Sequence, residues 1–169
     1  MNIYQLKTEQ DKAHFRELSI QYFLWYIPEI EAHTGIPIDA DGIDGANDSM
    51  KSLEKMMPPQ GHFLLCDIDG EIAGMAGLRA LSDTAAEIKR VYVRPKFRGK
   101  GISRTILQQL ISHAEAEDYT CIRLDTANFN IAAQGLFRSL GFEEIEPYEG
   151  TGCPEAWYPY WLFFERSLR

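Results

Sequence analysis

Apolar positions recur along this chain in two rhythms, every third or fourth residue and every second residue, and the changes between them mark out its elements. "IYQL" reads as a short opening strand. In "EQDKAHFRELSIQYFLWYI", Phe15, Leu18, Tyr22, Phe23 and Tyr26 then fall at helical spacing, and Pro28 is expected to end that helix. From Glu29 to Ser49 no period holds, which predicts a long irregular loop. A short helix is expected over "DSMKSLEKMM", with an Asp or Ser cap and Met50, Leu53 and Met57 on one side. "HFLLCDIDGEIAGMAGLRAL" reads as a hairpin turning at Asp69-Gly70, a dipeptide that tolerates the positive φ angles of a tight turn. The strand "AAEIKRVYV" follows. Ile102, Ile106, Leu110 and Ala114, widened by Leu107 and Ile111, then form the stripe of a long amphipathic helix. "YTCIRLDT" is a strand, and "NIAAQGLFRSLGF" is a helix capped by Asn130 and closed by Gly141, with Phe142 folding back onto Phe137. Strands in "FEEIEPY" and "YPYWLFFERSL" finish the chain. Strand-helix-strand-helix flanked by hairpins predicts an α+β fold, a mixed sheet with one parallel crossover and helices around it.

Composition narrows the class. The 169 residues are 45% hydrophobic and 25% charged, as expected for one globular domain spanning 1-169, and no apolar run approaches the ~20 residues of a membrane span. The N-terminus lacks the apolar core of a secretory signal, and the cysteine count is odd, so a cytoplasmic location is expected. Cys66 and Cys121 lie in apolar, strand-like surroundings, while Cys153 lies in a loop with no His near it in sequence. His14, His33, His62 and His113 form no ligand spacing, the acids from Asp39 to Asp48 do not fit a calcium loop, and no metal is expected.

Charge changes the picture more than composition does. The net charge of -8 argues against a nucleic-acid partner. Yet between Ile88 and Ala114 there is no Asp or Glu, while seven of the 17 basic residues fall there, leaving ten basic against 25 acidic elsewhere. Such an acidic body with one cationic site suits a compact anion. Inside that window, Gly99 and Gly101 stand between a strand and a long helix, where a helix start offers unpaired NH groups to phosphate. Neither the nucleotide P-loop nor the dinucleotide fingerprint matches, because Gly99-Lys100 is followed by Gly101 and position 104 is Arg.

The stretch "VRPKFRGKGIS" resembles the acetyl-CoA motif of the GNAT family of N-acetyltransferases, with Arg98, Gly101 and Ser103 at the motif positions and Ser103 in place of the usual Gly or Ala. "NIAAQGLFRSLGF" resembles the family's cofactor-side helix through Asn130, Ala133, Leu136, Phe137 and Gly141-Phe142. The two motifs cover roughly residues 84 to 147. The resemblance implies a mostly antiparallel sheet in which the parallel crossover forms the CoA site. It implies acetyl-CoA as co-substrate, a primary amine as acceptor, no membrane partner, and leaves a homodimer open. Backbone NH groups from Arg98 through Gly99, Lys100, Gly101, Ile102, Ser103 and Arg104 would hold the pyrophosphate; Val91, Tyr92 and Val93 would pair with the pantetheine arm; Asn130 and Phe137 would line its other side. Arg138 is either a further phosphate contact or a solvated surface side chain.

Amine acetylation needs a base, because an alkylamine near pKa ~10.4 is protonated at neutral pH. Glu87 stands where several family members carry a general-base glutamate, and strict alternation would put it on one face with Val91 and Val93; the other reading pairs it with Lys89 or another cation. An NH near Tyr92 or Val93 would stabilise an oxyanion. Phe137 replaces a Tyr that many members carry and cannot donate a proton to the leaving thiolate; Tyr148, Tyr158 and Tyr160 on the C-terminal strands are substitutes, with Tyr148 taken beside Glu87 as a catalytic residue. On the acceptor side, Tyr22, Trp25 and Tyr26 with Glu29 and Glu31 suit a cationic amine, or simply form an amphipathic helix with an acidic end. The rivals are an acyl-CoA-binding or sensor module of the same fold, and a phosphate-binding domain unrelated to CoA.

Overall fold

The computed structural model describes residues 1–59 and 61–168. Seven strands form one sheet: β1 (Asn2–Gln5), β2 (Gly61–Ile68), β3 (Glu71–Ala80), β4 (Ala85–Val93), β5 (Cys121–Ala127), β6 (Glu143–Ile145) and β7 (Trp161–Ser167), in the order β1-β2-β3-β4-β5-β7-β6. Every neighbouring pair is antiparallel except β4 and β5. Helix α3 (Ile102–Ala116) makes that parallel crossover, and α4 (Ile131–Ser139) follows β5. The predicted α+β sheet with a single parallel connection is therefore present.

Two helical layers cover the sheet. On one face, Ile102, Ile106, Leu107, Leu110, Ile111 and Ala114 of α3 and Phe137 of α4 pack with Leu64, Ala76, Ile88 and Leu124. The opposite face carries α1 (Glu9–Thr34), whose Phe15 and Leu18 pack over β2 and β3 while Tyr26 and Ile30 pack over β5 and β7. One helix thus bridges both halves of the sheet. The Asp69-Gly70 turn has the expected positive φ angles of 54° and 85°, and Phe142 folds back so that its ring meets Phe137 edge-on at 6.2 Å.

Three local expectations change. Helix α1 runs through Pro28 to Thr34 and is closed by Gly35 in the left-handed conformation. The missing Pro28 N–H costs one backbone bond, but Tyr26 and Ile30 extend the buried stripe on either side of it, and that burial carries the helix across. Nor is the following stretch irregular throughout: α2 (Gly42–Ser52) begins at an Asp41 cap whose carboxylate accepts from the amides of Ile43 and Asp44. Its pattern is weak because close approach replaces apolar side chains; a Cβ on Gly45 would sit 2.5 Å from the Phe23 ring. Asn130 occupies the N-cap of α4, yet its side chain makes no cap bond and donates to Thr126 Oγ1 at 3.4 Å instead.

Candidate active site

Strand β4 builds the site by leaving its neighbours twice. Toward β3, Met75 pairs with Tyr92 and Gly77 with Lys89, so β4 carries one extra residue, and Arg90 sits in that bulge at φ 58°. A one-residue bulge reverses which side chains face which layer. Ala86 and Ile88 before it, and Val91 and Val93 after it, all join the α3 layer, whereas Glu87 turns to the opposite face. The strict alternation that would group Glu87 with Val91 and Val93 is thus broken by the bulge. Toward β5, pairing stops at Glu87 opposite Arg123. Beyond that point a cavity of about 1120 Å³ opens, bordered by Ile88–Val93 on one strand and Leu124–Thr126 on the other.

One end of the cavity is made by the loop into α3. Gly99 and Gly101 have φ 75° and 76°, left-handed conformations that suit residues without a Cβ, and a Cβ at either would meet nothing within 4 Å. No side chain caps α3. The amides from Gly99 to Arg104 have no acceptor among the described residues, and the first bond of the helix is Thr105 N to Gly101 O. Unpaired donors at a positive helix end have the chemistry that suits a phosphorylated group. Arg98, Gly99, Gly101, Ile102, Ser103 and Arg104 border the cavity, as do Val91, Tyr92, Val93, Asn130 and Phe137. Lys100 does not; its ammonium lies over the Phe97 ring at 5.4 Å. Arg98 Nε donates to Val93 O at 3.1 Å, and its guanidinium lies 5.2 Å from the Trp25 ring centroid. Arg138 pairs with Glu144 at 3.1 Å and is not part of the cavity wall.

At the other end lies a charged cluster. Glu87, fully buried, accepts from Arg79 Nε and from the Tyr148 hydroxyl at 2.7 Å, and forms an ion pair with Lys89 Nζ at 3.0 Å. Lys89 also reaches Asp125 Oδ2 at 2.6 Å, an oxygen shared with the Thr151 hydroxyl at 3.2 Å, while Trp161 Nε1 donates to Asp125 Oδ1 at 3.1 Å. Arg79 and Lys89 balance Glu87 and Asp125 in charge. Arg79, Lys89 and Asp125 border the cavity; Glu87 and Tyr148 stand behind them. Burial and the adjacent Glu87 carboxylate push the Tyr148 phenol far above its ordinary range, so it stays protonated.

Aromatic rings close this end. Tyr22, Trp25, Tyr26, Trp157 and Trp161 border the cavity, with Trp25 stacked on Tyr26 at 5.4 Å. Burial raises the Tyr26 phenol and pushes Tyr22 to about 12. Glu29 turns toward His33 at 3.8 Å, and Glu31 accepts from the Ile38 amide at 2.8 Å, so neither carboxylate belongs to the cavity wall. Tyr158 and Tyr160 flank the rings without bordering it. Cys153 does border it, but burial, with Asp125 nearby, pushes its thiol up to about 12, which removes the thiolate at neutral pH. The alternative reading, in which Glu87 pairs with Lys89 or another cation, is the arrangement found, whereas Arg79 and Asp125 were not singled out by sequence reasoning and Arg90 only as one of the seven cations of the basic window. The available signal was a charged residue inside otherwise apolar strands, in "GLRAL", "EIKRV" and "RLDTA".

The model of the acetyltransferase (GNAT) family matches residues 13–142. The chain belongs to the GNAT family. By that membership it is an acyltransferase. An uncharacterized N-acetyltransferase of Schizosaccharomyces pombe is 26% identical over 160 residues, 94% of this chain and 92% of that protein. Human N-acetylaspartate synthetase is 33% identical over 91 residues, which is 53% of this chain but only 30% of that protein. Among solved GNAT-like folds, Salmonella typhimurium yncA, determined with its cofactor acetyl-CoA, superposes with a TM-score of 0.72 at 21% identity, covering 100% of this chain and 95% of that one. The GNAT match includes β4, the glycine loop, α3, β5 and α4, which contribute part of the cavity wall; Cys153, Trp157 and Trp161, also on the wall, lie beyond it.

Proposed function

We propose that the protein is an acetyl-CoA-dependent N-acetyltransferase acting on a primary amine of a small molecule or a peptide. The observation that carries this reading is that one cavity is bordered by Gly99, Gly101, Ile102, Ser103 and Arg104, whose amides have no acceptor among the described residues, by the part of β4 that no longer pairs with β5, and by Asp125 of the charged cluster. Family membership and the acetyl-CoA in the Salmonella structure support the co-substrate. The name of the human relative, that of an enzyme making an N-acetylated amino acid, supports an amine acceptor.

When bound, acetyl-CoA supplies an acyl group already activated as a thioester. The amides of the glycine loop hold its pyrophosphate, and the edge of β4 from Val91 to Val93 takes the amides of its pantetheine arm as a further strand would. Ala133, Leu136 and Phe137 of α4 cover that arm and exclude water. The acceptor nitrogen must lose a proton before or during attack. Asp125 is the cluster carboxylate at the cavity wall, and its oxygens are fixed by Lys89, Trp161 and Thr151; it takes the proton, directly or through a water. Glu87 acts from behind as a positioning residue that fixes Lys89 and Arg79, with Tyr148 fixing Glu87 in turn. No group from Phe137 protonates the leaving thiolate, and with a reference pKa near ~8.5 it can depart without one.

The test is free-thiol release from acetyl-CoA across polyamines, amino acids, aminoglycosides and short peptides. Turnover with at least one amine class, lost in Asp125→Asn with coenzyme A affinity retained, is expected. Coenzyme A binding with no thiol released by any amine would instead mark a binding module.

A further inference from the structure

Among the described residues, Arg90 is a cation of this cavity wall that no carboxylate offsets; Lys55 and Arg104 are others, Arg104 being bonded to Ser139 Oγ at 2.6 Å beside the glycine loop. The four charges of the Arg79, Glu87, Lys89 and Asp125 cluster cancel, and Arg98 is engaged by Val93 O and the Trp25 ring. Arg90 has no carboxylate within 4 Å among the described residues. Its Nε donates to Ser49 Oγ at 2.9 Å, and its guanidinium lies 5.5 Å from the Phe23 ring centroid. These two contacts, one from α2 and one from α1, fix the plane of the guanidinium and leave its two terminal nitrogens without a protein acceptor. The backbone there is the left-handed bulge residue, an unfavourable conformation for a side chain with a Cβ. A charged side chain is therefore held at the cavity wall by a bulge that lies just past the point where β4 stops pairing with β5.

We infer that Arg90 recognises an anionic carboxylate on the acceptor, so that the preferred substrates are amines that also carry a carboxylate, such as amino acids or their derivatives.

This rests on the acetyltransferase reading of the cavity and adds the acceptor class to it. A planar guanidinium with two free nitrogens pairs with a carboxylate in a two-bond fork. Other charges at this end do not supply a partner: Asp48 is exposed and bonded to Lys51 at 2.7 Å, and Lys55 adds a second cation at the cavity wall. The Tyr22 phenol, raised first by its burial, is pulled down by Arg90 and pushed up by Asp125, so cation and carboxylate act on the same ring from within the cavity. A zwitterionic acceptor fits that arrangement, its ammonium among the rings and Asp125 and its carboxylate toward Arg90.

The experiment pairs each of several amino acids with its carboxamide, which keeps the amine and removes the charge. Thiol release from acetyl-CoA gives kcat and KM, and calorimetry in the presence of coenzyme A gives affinity independently of turnover. Carboxylates are expected to be preferred by about 30-fold or more, mostly through KM, the size of a charged hydrogen-bonded contact. In Arg90→Gln that ratio falls to near one; Arg90→Lys retains part of it, and Ser49→Ala lowers it a few-fold by freeing the guanidinium. Melting curves check that each variant folds. Equal use of acids and carboxamides by the wild-type protein, or a ratio unchanged in Arg90→Gln, overturns the inference. Carboxylate-selective binding that needs Arg90 but yields no thiol with any amine would sink the transfer reading alone. Absence of binding and turnover for every pair would sink both.

Discussion

The two ends of the cavity are built on opposite principles. The end at residues 99–104 works with main-chain amides that have no partner, so its recognition is carried by conformation and would survive exchange of most side chains. At the end around Glu87, Lys89 and Asp125 the charged groups already have partners: Glu87 is held by Arg79, Lys89 and Tyr148, and Asp125 accepts from Lys89, Thr151 and Trp161. An empty receptor can accept a ligand of fixed shape, whereas a saturated cluster orients a few groups toward something variable. That difference explains how one fold can hold one co-substrate and serve many acceptors.

The contrast can be broken most strongly at Glu87. Replacing it by Gln leaves Arg79 and Lys89 opposed only by Asp125, and loss of one member of a buried ion pair costs about 3–5 kcal/mol; thermal denaturation should show a much lower melting temperature, and an unchanged one would mean the cluster is not structural. Cys153 sharpens the same side. With its thiol raised to about 12, alkylation by iodoacetamide at pH 8 should run about a thousandfold slower than for a free thiol and should rise with pH through the alkaline range. In Asp125→Asn, turnover should fall by about 300-fold while coenzyme A affinity stays within a factor of two or so; equal loss in both would place Asp125 in cofactor binding. On the opposite side, Gly101→Val forces a branched side chain into φ 76°, at a cost of about 1–2 kcal/mol, and projects it into the space before the amides. Coenzyme A affinity should drop about 100-fold, and amino acid binding should be little affected. Asp41→Ala should cost least, about 1 kcal/mol of stability by removing the α2 cap, with a few-fold effect on acceptor KM through Ser49.

The same division governs how much of the molecule could be read from the amino-acid order. Hairpin turn, amphipathic α3 and the Gly99-Gly101 approach are local: each depends on a period or on a φ angle that a dipeptide makes visible. Residues 85–93 were legible as a strand, but the bulge at Arg90 has no marker such as glycine, and missing it put Glu87 on the wrong face. The helix expected over 48–57 covers only the second half of α2 and the short 3-10 turn Leu53–Met56 after it; the first turns of α2 were hidden because Gly42 and Gly45 pack backbone against Leu24 and Phe23, leaving little apolar period to detect. Arg79, Lys89 and Asp125 come from three strands and meet only through sheet order, which no local pattern encodes.

The most direct test of the account is calorimetric titration of coenzyme A into the wild-type protein, with Gly101→Val in parallel. Saturable binding of one molecule per chain, weakened about 100-fold in the variant, is predicted. Heats indistinguishable from dilution in the wild type, or equal affinity in both proteins, would contradict the claim that the amides of residues 99–104 form the phosphate receptor.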